Sequence, residues 1–456
     1  MRLSDAKPTL LVPVEVTARE LDARLRFAAE AVRRGFPAAI GRSRTLHHRP
    51  DLFPPALVVE NDVSIAGADF ARRARELGHR LVAWDEEAIA VLNDGWYTRQ
   101  RVARETLALT DLFFTRGGGD AAAVRAAHPD LAGRVRPAGN PRLDLLDPRL
   151  RGALQPPRPG APIAVMSRFS RSNPFSLERK DVLGNVVRKF RFGPDETTFY
   201  TGFLEHSHAV FDAFLPMVAH LAARFPDRPV IVRPHPSERV ATWEGLARAH
   251  QNLSVETGGT AVELAGRAAV VIHNGCTTGL EAALLGRPVL AFAPVVSAEY
   301  DVALPNALSE ICPSESALFE VVADRIAAPP DPRVLAERAW TRLRAEVGDG
   351  SGRSATDIVL DALEEIHQTG LPRKKGRVVA VARARVRAAK EALARLVVRE
   401  DAARRAARAA YHARKFEQVG GSDVTARLAA LGYPDLAAQP LREGWWWILP
   451  KEGPRR

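Results

Sequence analysis

Cysteine is scarce in this chain of 456 residues, which holds only Cys276 and Cys312. Two cysteines supply neither a disulfide framework nor a CxxC metal knuckle, so we expect a protein of the reducing cytoplasm. Long apolar runs are also lacking: none approaches the roughly 20 residues that a membrane-spanning helix needs, and we expect no signal peptide. The sequence has no phosphate loop of the GxxxxGK type and no DxD, which argues against a P-loop kinase and against an essential metal or cofactor.

The composition that remains is that of a globular protein. Hydrophobic residues make up 46% and charged residues 26% of the chain, so most of it is expected to fold. The length suits two domains and an extension. The net charge is +11, with much of the excess between Arg373 and Arg414, but no recognisable nucleic-acid motif accompanies it. We therefore expect no nucleic-acid partner, while anionic substrates, anionic lipid and simple solvation stay open.

Short apolar runs alternate with helical periodicity along the first part of the chain. The strands predicted there are Thr9–Val14, Ala38–Gly41, Ala56–Glu60, Arg80–Trp84, Leu112–Thr115 and Val135–Ala138. Thr17–Glu20 has capping-box spacing and predicts the start of the first helix. Strands that alternate with helices favour a parallel sheet covered on both faces, so we predict an N-terminal Rossmann-like domain over residues 1–150, which the family resemblance given below places on the acceptor side.

A second alternating unit follows a proline-rich linker at Gln155–Gly160. Its predicted strands are Ile163–Met166, Val230–Arg233, Ala269–His273 and Val289–Phe292. We predict a second Rossmann-like domain over residues 160–348, and the motifs and the family resemblance given below imply that it binds the nucleotide sugar. Residues 349–456 form a basic helical extension, in which apolar residues from Val378 onward recur every three or four positions. That spacing predicts a long amphipathic helix with a basic outer face.

The strongest motif is Arg233–Glu238, which follows an apolar strand. In doubly wound sheets ligands collect at the carboxyl ends of the strands. His235 lies between two prolines and is therefore held on a stiff, extended backbone. A fixed imidazole and a guanidinium at a strand end suit a phosphate. The alternative is a surface turn that happens to contain a histidine.

A second motif, His273–Ala282, joins a strand to a helix through small and hydroxylated residues. Free amides at a helix start and two hydroxyls make an anion cradle. Alternatively, Thr278 and Glu281 are spaced as a capping box and only begin a helix. Two phosphate-suited strand ends in one domain favour a donor site.

Three adjacent acids, Asp85, Glu86 and Glu87, lie at a strand end in the first domain. Their mutual repulsion can raise the pKa of one of them towards that of a useful base. The alternative is that these acids favour the start of the next helix.

Three weaker signals lie near other strand ends. Glu15 and Arg19 follow the first strand and are predicted to face the cleft, although charges at a helix start are usually solvated. Ser167, Ser170 and Asn173 follow the first strand of the second domain, where ligand-facing loops belong. Arg116–Gly119 is either a phosphate loop or a plain turn.

Five segments together resemble a bacterial surface-carbohydrate biosynthesis family. They read PVEVTARELDAR, WDEEA, AGNPRLD (138–144), RPHPSE and HNGCTTGLEA, and the resemblance spans roughly residues 8 to 300. The family groups with GT-B glycosyltransferases of the sialyl-, polysialyl- and Kdo-transferase type. The resemblance implies an α/β GT-B fold, in which two Rossmann-like domains face a cleft.

The resemblance also implies roles for single residues. The acid of the family serves as base on the acceptor, which indicates Glu86 or Asp85. Ala88 stands where the family has glycine, so Glu87 stays open as well. His235 with Pro236 matches the family's HP pair, whose histidine contacts the nucleotide phosphate and assists the leaving group. Thr277 and Thr278 match a hydroxyl pair that binds the same phosphate.

These expectations combine into one function: a metal-independent glycosyltransferase that moves a CMP-activated sialic- or Kdo-like sugar onto a surface polysaccharide or glycolipid. The predicted donor-site residues are Arg233, Pro236, Ser237, His273, Asn274, Gly275, Thr277, Thr278, Glu281, Ser167, Ser170 and Asn173. Alternatives are a UDP-sugar or CDP-polyol transferase of the same fold, and a non-enzymatic assembly protein. The latter would bind the anionic inner membrane through its basic helix, which predicts a peripheral location. A helix packed across both domains explains the same pattern.

Overall fold

The structure, a computed structural model, describes most of the chain. The described residues are 7–90, 94–148, 154–368, 377–397, 409–410, 413, 416, 419–442 and 444–451. The predicted domain end at residue 150 and both ends of the basic stretch, Arg373 and Arg414, lie outside them. The chain divides into two compact units. The first comprises Met1–Ala88, Thr98–Leu145 and Glu346–Arg456, and the second comprises Ile89–Tyr97 and Leu146–Ala345.

The first unit is built on an eight-stranded sheet. Its strands are β1 Leu10–Val14, β2 Ala38–Arg42, β3 Leu57–Glu60, β4 Arg80–Trp84, β5 Leu112–Thr115, β6 Val135–Pro137, β13 Leu436–Arg442 and β14 Trp445–Pro450. Their order across the sheet is β13-β14-β2-β1-β3-β4-β5-β6. Strands β1 to β6 run parallel, as the alternating pattern predicted.

Helices cover this sheet. Those of the first unit are α1 Thr17–Arg33, α2 Ser43–His48, α3 Ala68–Glu76, α5 Arg104–Leu109, α6 Gly118–Ala127, α7 Pro141–Asp144, α16 Ala355–Gln368, α17 Arg377–Val397 and α18 Gly421–Ala430, and α4 spans Asp94–Gln100. Short 3-10 turns occupy Pro50–Leu52, Ile65–Gly67, Ala88–Ala90, Pro129–Arg134 and Arg179–Asp181. The apolar face of α1 packs Leu21, Leu25 and Ala28 into the core beside the β1 side chains Val12 and Val14.

The prediction that residues 349–456 form a helical extension is wrong near the end of the segment, where the chain forms a β-hairpin. Strands β13 and β14 pair antiparallel, and β14 pairs antiparallel with β2 at the edge of the first sheet. Trp445 is fully buried there, with its ring 4.9 Å from that of Phe53 and its Nε1–H donating to Arg42 O at 3.1 Å. This segment therefore completes the first unit instead of forming a separate helical domain.

Part of the AGNPRLD motif fastens the returning chain to the first unit. The buried carboxylate of Asp144 accepts the backbone amides of Ala355 at 2.9 Å and Thr356 at 2.8 Å, and the Thr356 hydroxyl at 2.6 Å. A carboxylate at a helix start satisfies amides that have no partner within the helix. Asp144 thus caps α16.

The second unit is built on a six-stranded, fully parallel sheet. Its strands are β7 Ile163–Met166, β8 Val230–Arg233, β9 Leu253–Val255, β10 Val270–His273, β11 Val289–Phe292 and β12 Glu310–Cys312. Their order is β12-β11-β10-β7-β8-β9. From β7 the chain adds strands outward on one side (β8 and β9), and from β10 it adds them on the other side (β11 and β12). The carboxyl ends of β7 and β10 therefore form the topological switch point, the place at which such folds bind ligands.

Helices also cover the second sheet. They are α8 Val182–Phe190, α9 Pro194–Arg224, α10 Val240–Ala247, α11 Ala261–Arg267, α12 Thr277–Leu284, α13 Ala303–Ala307, α14 Glu315–Ala327 and α15 Pro332–Arg344. The long helix α9 packs Phe214, Met217 and Leu221 into the core. Across the described ranges, no helix has the length and apolar character needed to cross a membrane.

Candidate functional site

Asp85, the first of the three acids after β4, is held in an internal ion pair. Its carboxylate is fully buried and accepts from Arg101 twice, Nε to Oδ2 at 3.0 Å and Nη2 to Oδ1 at 2.6 Å. A bidentate pair of this kind occupies both oxygens of the carboxylate. The role of Asp85 as a candidate base is therefore corrected to that of an anchor for Arg101. Sequence reasoning missed Arg101, because nothing in the sequence links it to an acid 16 residues earlier.

Glu87, the third acid, lies at the surface with 45% of its side chain exposed. Its oxygens face Arg19 at 2.7 Å and Arg101 at 3.4 Å. Glu87 shares these two guanidinium groups with Asp85 and Glu20, so it is part of a surface ion-pair network, and its role as a base stays a prediction. Arg19, predicted to face the cleft, thus lies beside the acids. Glu15 is exposed, and its amide donates to Glu20 Oε2 at 2.8 Å.

Glu86 differs from both neighbours, because it is buried and incompletely paired. Only 3% of it is exposed, and its Oε1 lies 2.5 Å from Arg24 Nε. Within the described part of the chain neither carboxylate oxygen completes a hydrogen bond. Burial raises the pKa of Glu86 to about 7, with Glu20 adding to the rise and Arg24 opposing it. Of the three acids, Glu86 therefore has the character of a general base near neutral pH.

Arg24 belongs to the candidate site, and sequence reasoning missed it. It is fully buried, and besides Glu86 it donates to Val59 O at 3.3 Å and to the side chain of Asn61. A signal existed, since Arg24 stands three residues after Leu21 and four before Ala28, on the predicted buried face of α1. A charged residue at a buried helix position usually has a partner.

The capping box predicted at Thr17 does not form. Helix α1 begins at Thr17 itself, with Val16 as its cap residue, and Glu20 instead accepts the amide of Glu15. The Thr17 hydroxyl is buried and has no hydrogen-bond partner among the described residues. Thr17, Glu20 and Arg24 share one face of α1, so the start of this helix presents polar groups inward.

The AGNPRLD segment holds the backbone of Glu86 in place. The buried side chain of Asn140 donates to Glu86 O at 2.8 Å, and Trp84 Nε1–H donates to Gly139 O at 3.0 Å. Gly139 has a φ of +100°, a conformation that favours glycine. This motif therefore fixes the strand end that carries the acid.

In the second unit, Glu238 joins the loops after β7 and β8. Its fully buried carboxylate accepts from Ser167 Oγ at 2.6 Å, Phe169 N at 2.8 Å, His235 N at 3.1 Å and Trp243 Nε1 at 3.1 Å. Burial raises the pKa of this carboxyl, while those donors oppose the rise. Glu238 was not predicted as a site residue, although it stands in the RPHPSE motif.

His235 is held in one tautomer between Pro234 and Pro236. Its Nδ1 accepts the backbone amide of Ser237 at 3.1 Å, so in the neutral ring the proton lies on Nε2. His235, Pro236 and Ser237 are each partly exposed, as residues that meet a ligand must be. This arrangement agrees with a histidine prepared to donate from Nε2.

Arg233, predicted to bind phosphate, braces a neighbouring loop. Arg233 is buried, with 8% of the residue exposed. Its guanidinium donates to the backbone carbonyls of Gly258 and Gly259, the latter at 2.6 Å. These glycines follow β9. The direct role in phosphate binding is therefore corrected, since the fork of the guanidinium is directed at backbone oxygens.

Asn173 and Ser167 are likewise structural. The Asn173 side chain donates to Arg239 O at 3.0 Å and accepts the Thr242 hydroxyl at 2.8 Å, while the Ser167 hydroxyl donates to Glu238. Both donor-site predictions are corrected, because these polar groups are used inside the loops. Ser170 is partly exposed on the same loop.

His273 organises the loop after β10. Its Nδ1 accepts the amides of Gly275 at 3.0 Å and Cys276 at 3.1 Å, so its Nε2–H donates to Ser309 Oγ at 2.7 Å. Burial lowers the pKa of His273 to about 3, which keeps the ring neutral. With both nitrogens occupied, His273 cannot also hold a phosphate, and that prediction is corrected.

The loops after β7 and β10 meet at the switch point. Asn274 Oδ1 accepts the Arg168 amide at 3.0 Å, and the Arg168 guanidinium donates to Gly275 O at 2.9 Å. Gly275 has a φ of +72°, which its turn requires. The structure thus brings together the β7, β8 and β10 loops that carry the predicted donor-site residues.

Helix α12 begins at this junction with Thr277. Cys276 is its cap, with Sγ accepting the Thr278 amide at 3.5 Å. The alternative of a capping box between Thr278 and Glu281 does not hold, because Cys276 is the cap and Thr278 is already the second residue of the helix. Both side chains are largely buried. Thr277 is partly exposed, and its hydroxyl makes no hydrogen bond to any described residue, so it is the hydroxyl best placed for an anion.

The glycine cluster Arg116–Gly119 is a packing element and not a phosphate loop. A Cβ on Gly117 would overlap the carbonyl of Glu346, and Arg116 forms a two-point ion pair with Asp120 at 2.9 and 2.8 Å. Among the residues that the structure covers, no three His, Cys, Asp or Glu side chains gather as a metal site.

No protein-family model matches the chain, and no curated protein sequence does. Solved structures match its fold. A protein assigned as a UDP-N-acetylglucosamine 2-epimerase from Listeria monocytogenes has a TM-score of 0.50 and 13% identity, covering 80% of this chain and 98% of that one. The S. aureus MnaA–UDP complex has a TM-score of 0.49 and 11% identity, covering 81% and 100%. The wall teichoic acid polymerase TagF has a TM-score of 0.46 and 11% identity, and the match covers 79% of this chain and 89% of that one.

Identities this low show the fold alone. The two Rossmann-like sheets and the likeness to the Listeria structure confirm the predicted fold class. The chain has the GT-B type of fold.

Proposed function

We propose that this protein is a metal-independent glycosyltransferase that moves a sugar from a nucleotide sugar onto a surface polysaccharide or glycolipid. The observation that carries the proposal is Glu86, a buried carboxylate with a pKa of about 7 after a strand of a parallel sheet. A base of that pKa is matched to deprotonating a hydroxyl near neutral pH. The switch point of the second unit supports the donor half of the proposal.

In the proposed reaction, an acceptor hydroxyl oxygen bonds to the anomeric carbon of the donor sugar. The bond from that carbon to the nucleotide phosphate breaks, and its electron pair leaves with the phosphate. The hydroxyl proton passes to Glu86. His235 stabilises the charge on the departing phosphate through Nε2, and Thr277 contributes its hydroxyl at the positive end of α12.

For the donor we propose a CMP-activated sugar acid of the sialic or Kdo type. This choice rests on the resemblance of the HP pair, the paired threonines and the acidic motif to transferases of that type. A UDP or CDP donor, and the absence of any donor, are outcomes of the following test.

Replacing His235 with asparagine tests the donor site. The Oδ1 of asparagine retains an acceptor for the Ser237 amide, so the turn survives while the Nε2 group is lost. We expect the CMP affinity, titrated calorimetrically without added metal, to fall roughly 10- to 100-fold, as for one charge-assisted hydrogen bond.

The matched control is His220→Ala, which removes an exposed histidine of α9 that pairs with Glu315. Its CMP affinity should equal that of wild type. Selective CMP binding that only His235→Asn weakens supports the proposal. A preference for UDP or CDP contradicts the CMP assignment, and no binding of any of the three favours the assembly protein.

The proposal includes peripheral attachment to an anionic membrane through α17. This helix exposes Val378, Val379 and Val386 at 83%, 54% and 56%. Exposed cations accompany them at Arg383, Arg385, Arg387 and Lys390. Valines that enter the headgroup layer beside cations that meet lipid phosphates fit an interfacial helix.

Vesicle sedimentation checks this attachment. Replacing the three valines with serine keeps the charge and removes the apolar contribution, so we expect roughly tenfold weaker binding to phosphatidylglycerol vesicles. Val295→Ser with Val296→Ser is the control, since these valines are exposed at 39% and 71% in the second unit. Equal binding by both variants and wild type would rule out attachment through α17.

A further inference from the structure

We propose that residues 168–193, between β7 and α9, bind the anionic sugar chain of the acceptor. This stretch, which contains α8, is called the basic insertion below. The inference rests on the proposed function, because it assigns the chemical class of the acceptor: a glycan that carries carboxylate or phosphate groups.

The basic insertion lies at the ligand edge of the second sheet. It leaves the carboxyl end of β7, the strand end that forms the switch point with β10. Connections in such folds usually take about two to six residues, whereas this one runs from Met166 to Pro194. Its first residue, Arg168, bonds to the β10 loop through Gly275. The start of the basic insertion therefore lies beside the proposed donor site.

The charge of the insertion is strongly one-sided. Its basic residues are Arg168, Arg171, Arg179, Lys180, Arg188, Lys189 and Arg191, against two acids, Glu178 and Asp181. Glu178 already pairs with Arg239 at 3.0 Å. Lys180, Arg188 and Arg191 are exposed, and none of them has an ion-pair partner within the described ranges. An uncompensated field of this kind attracts polyanions.

Arg191 adds a backbone argument. It ends α8 with a φ of +55°, and it is the sole non-glycine residue with a positive φ in the described part of the chain. Glycine is the usual residue at such a helix end. An arginine in this disfavoured conformation points to a use for its charge.

Two aromatic rings accompany the cations. Phe190 and Phe192 stack with centroids 5.9 Å apart, and Lys189 Nζ lies 5.0 Å from the Phe190 centroid. Both phenylalanines are partly exposed, and their remaining surface packs against the cluster of Val182, Val186, Tyr200 and Leu204. The exposed part of an aromatic ring can contact the apolar face of a sugar ring, and neighbouring ammonium groups pair with the carboxylates of the sugar. Cations beside aromatic rings thus favour an anionic glycan over a bare polyanion.

A lipid surface fits the insertion poorly. The apolar side of α8 is already covered, since Val182 and Val186 pack against Tyr200 and Leu204 of α9. The large apolar side chains that stand exposed in the described chain all lie outside the insertion. Helix α17 has the exposed valines that α8 lacks, so the two basic surfaces are suited to different partners.

Two charge-neutralised variants of the full chain separate these surfaces. The first variant replaces four cations of the basic insertion with glutamine: Lys180, Arg188, Lys189 and Arg191. The second variant replaces four cations of α17 with glutamine: Arg383, Arg385, Arg387 and Lys390. The probe is fluorescently labelled polysialic acid, followed by anisotropy. We expect the first variant to bind it at least about tenfold more weakly, and the second to stay within about twofold of wild type. Both should keep the wild-type affinity for CMP, so a failure here is distinguishable from a failure of the donor-site proposal.

Three results would overturn the inference: no binding of polysialic acid by wild type, equal losses in both variants, or loss of phosphatidylglycerol-vesicle binding in the first variant alone. Phe190→Leu then tests the sugar component with little change in charge or bulk. It should weaken binding of polysialic acid about threefold or more and leave binding of inorganic polyphosphate unchanged. Equal effects on both probes would contradict recognition of the sugar rings.

Discussion

Glu86→Gln is expected to lower the turnover number by about a hundredfold to ten-thousandfold, the usual contribution of a general base. Glutamine has nearly the same shape but cannot take the acceptor proton. The measurement is the initial rate of transfer at saturating donor and acceptor, with CMP affinity recorded in parallel and expected to be unchanged. The control is Glu87→Gln, since Glu87 is adjacent and 45% exposed. Its rate should stay within a few-fold of wild type, and a fully active Glu86→Gln enzyme would remove the base from the proposed reaction.

The same substitution has a second readout in stability. Burial raises the pKa of Glu86 to about 7 from an ordinary value of 4.5, so the folded chain holds this proton more tightly than the unfolded chain. Its stabilising contribution is therefore complete below about pH 4.5 and is lost as the pH rises through about 7. The shift corresponds to about 3 kcal/mol. The free energy of unfolding, measured with urea, should fall between pH 4.5 and 8 by about that much more in wild type than in Glu86→Gln. If the two proteins showed the same dependence on pH, the raised pKa of Glu86 would be refuted.

Gly41→Ala is expected to dislodge the C-terminal hairpin. A Cβ at Gly41 would overlap the carbonyl oxygen of Gly444 and the indole ring of Trp445, the residue opposite it in β14. Trp445 is fully buried, and losing its packing typically costs about 3–5 kcal/mol. The free energy of unfolding in urea should fall by a similar amount, with earlier exposure of tryptophan fluorescence.

The control for this substitution is Gly118→Ala. A Cβ there meets nothing within 4 Å, and Gly118 opens helix α6. Alanine should leave the free energy of unfolding unchanged or raise it by up to about 1 kcal/mol. If Gly41→Ala matched Gly118→Ala, the hairpin would not depend on close approach at β2.

Local patterns predicted much of the fold. The predicted strands Arg80–Trp84, Leu112–Thr115, Ile163–Met166 and Val230–Arg233 coincide with β4, β5, β7 and β8. Buried parallel strands are short apolar runs bounded by turn residues, so each is visible without knowing its partners. The predicted long helix from Val378 lies within α17 for the same reason, because helical spacing is local.

The meeting of the loops that form the candidate site was predictable, but the contacts of each residue in them were not. The loops after β7, β8 and β10 do meet, since carboxyl ends of neighbouring parallel strands share one edge. Which histidine faces a ligand depends on burial: His273 is wholly buried, whereas His235 is partly exposed. Likewise, adjacency made Asp85 and Glu86 equivalent candidates, and only the distant Arg101 and Arg24 distinguish them.

The hairpin escaped prediction because its partner is remote. Trp445–Pro450 is rich in aromatic residues and carries a strand signal, but the preceding strand contains Pro440, which weakens the pattern. No local rule connects this segment with Gly41, about four hundred residues earlier. Long-range pairing of this kind follows from complementary shape and not from periodicity.

That pairing has a consequence for synthesis on the ribosome. Strand β2 emerges early, yet the strand that covers its edge is made only after the whole of the second unit. The second unit, contiguous over most of its length, can therefore complete its sheet while the first still presents an open edge. Open edges recruit other strands, and nascent chains on one messenger lie close together. The β2 edge therefore stays uncovered from its own synthesis until β14 has been made, which is the interval in which unwanted strand pairing can occur.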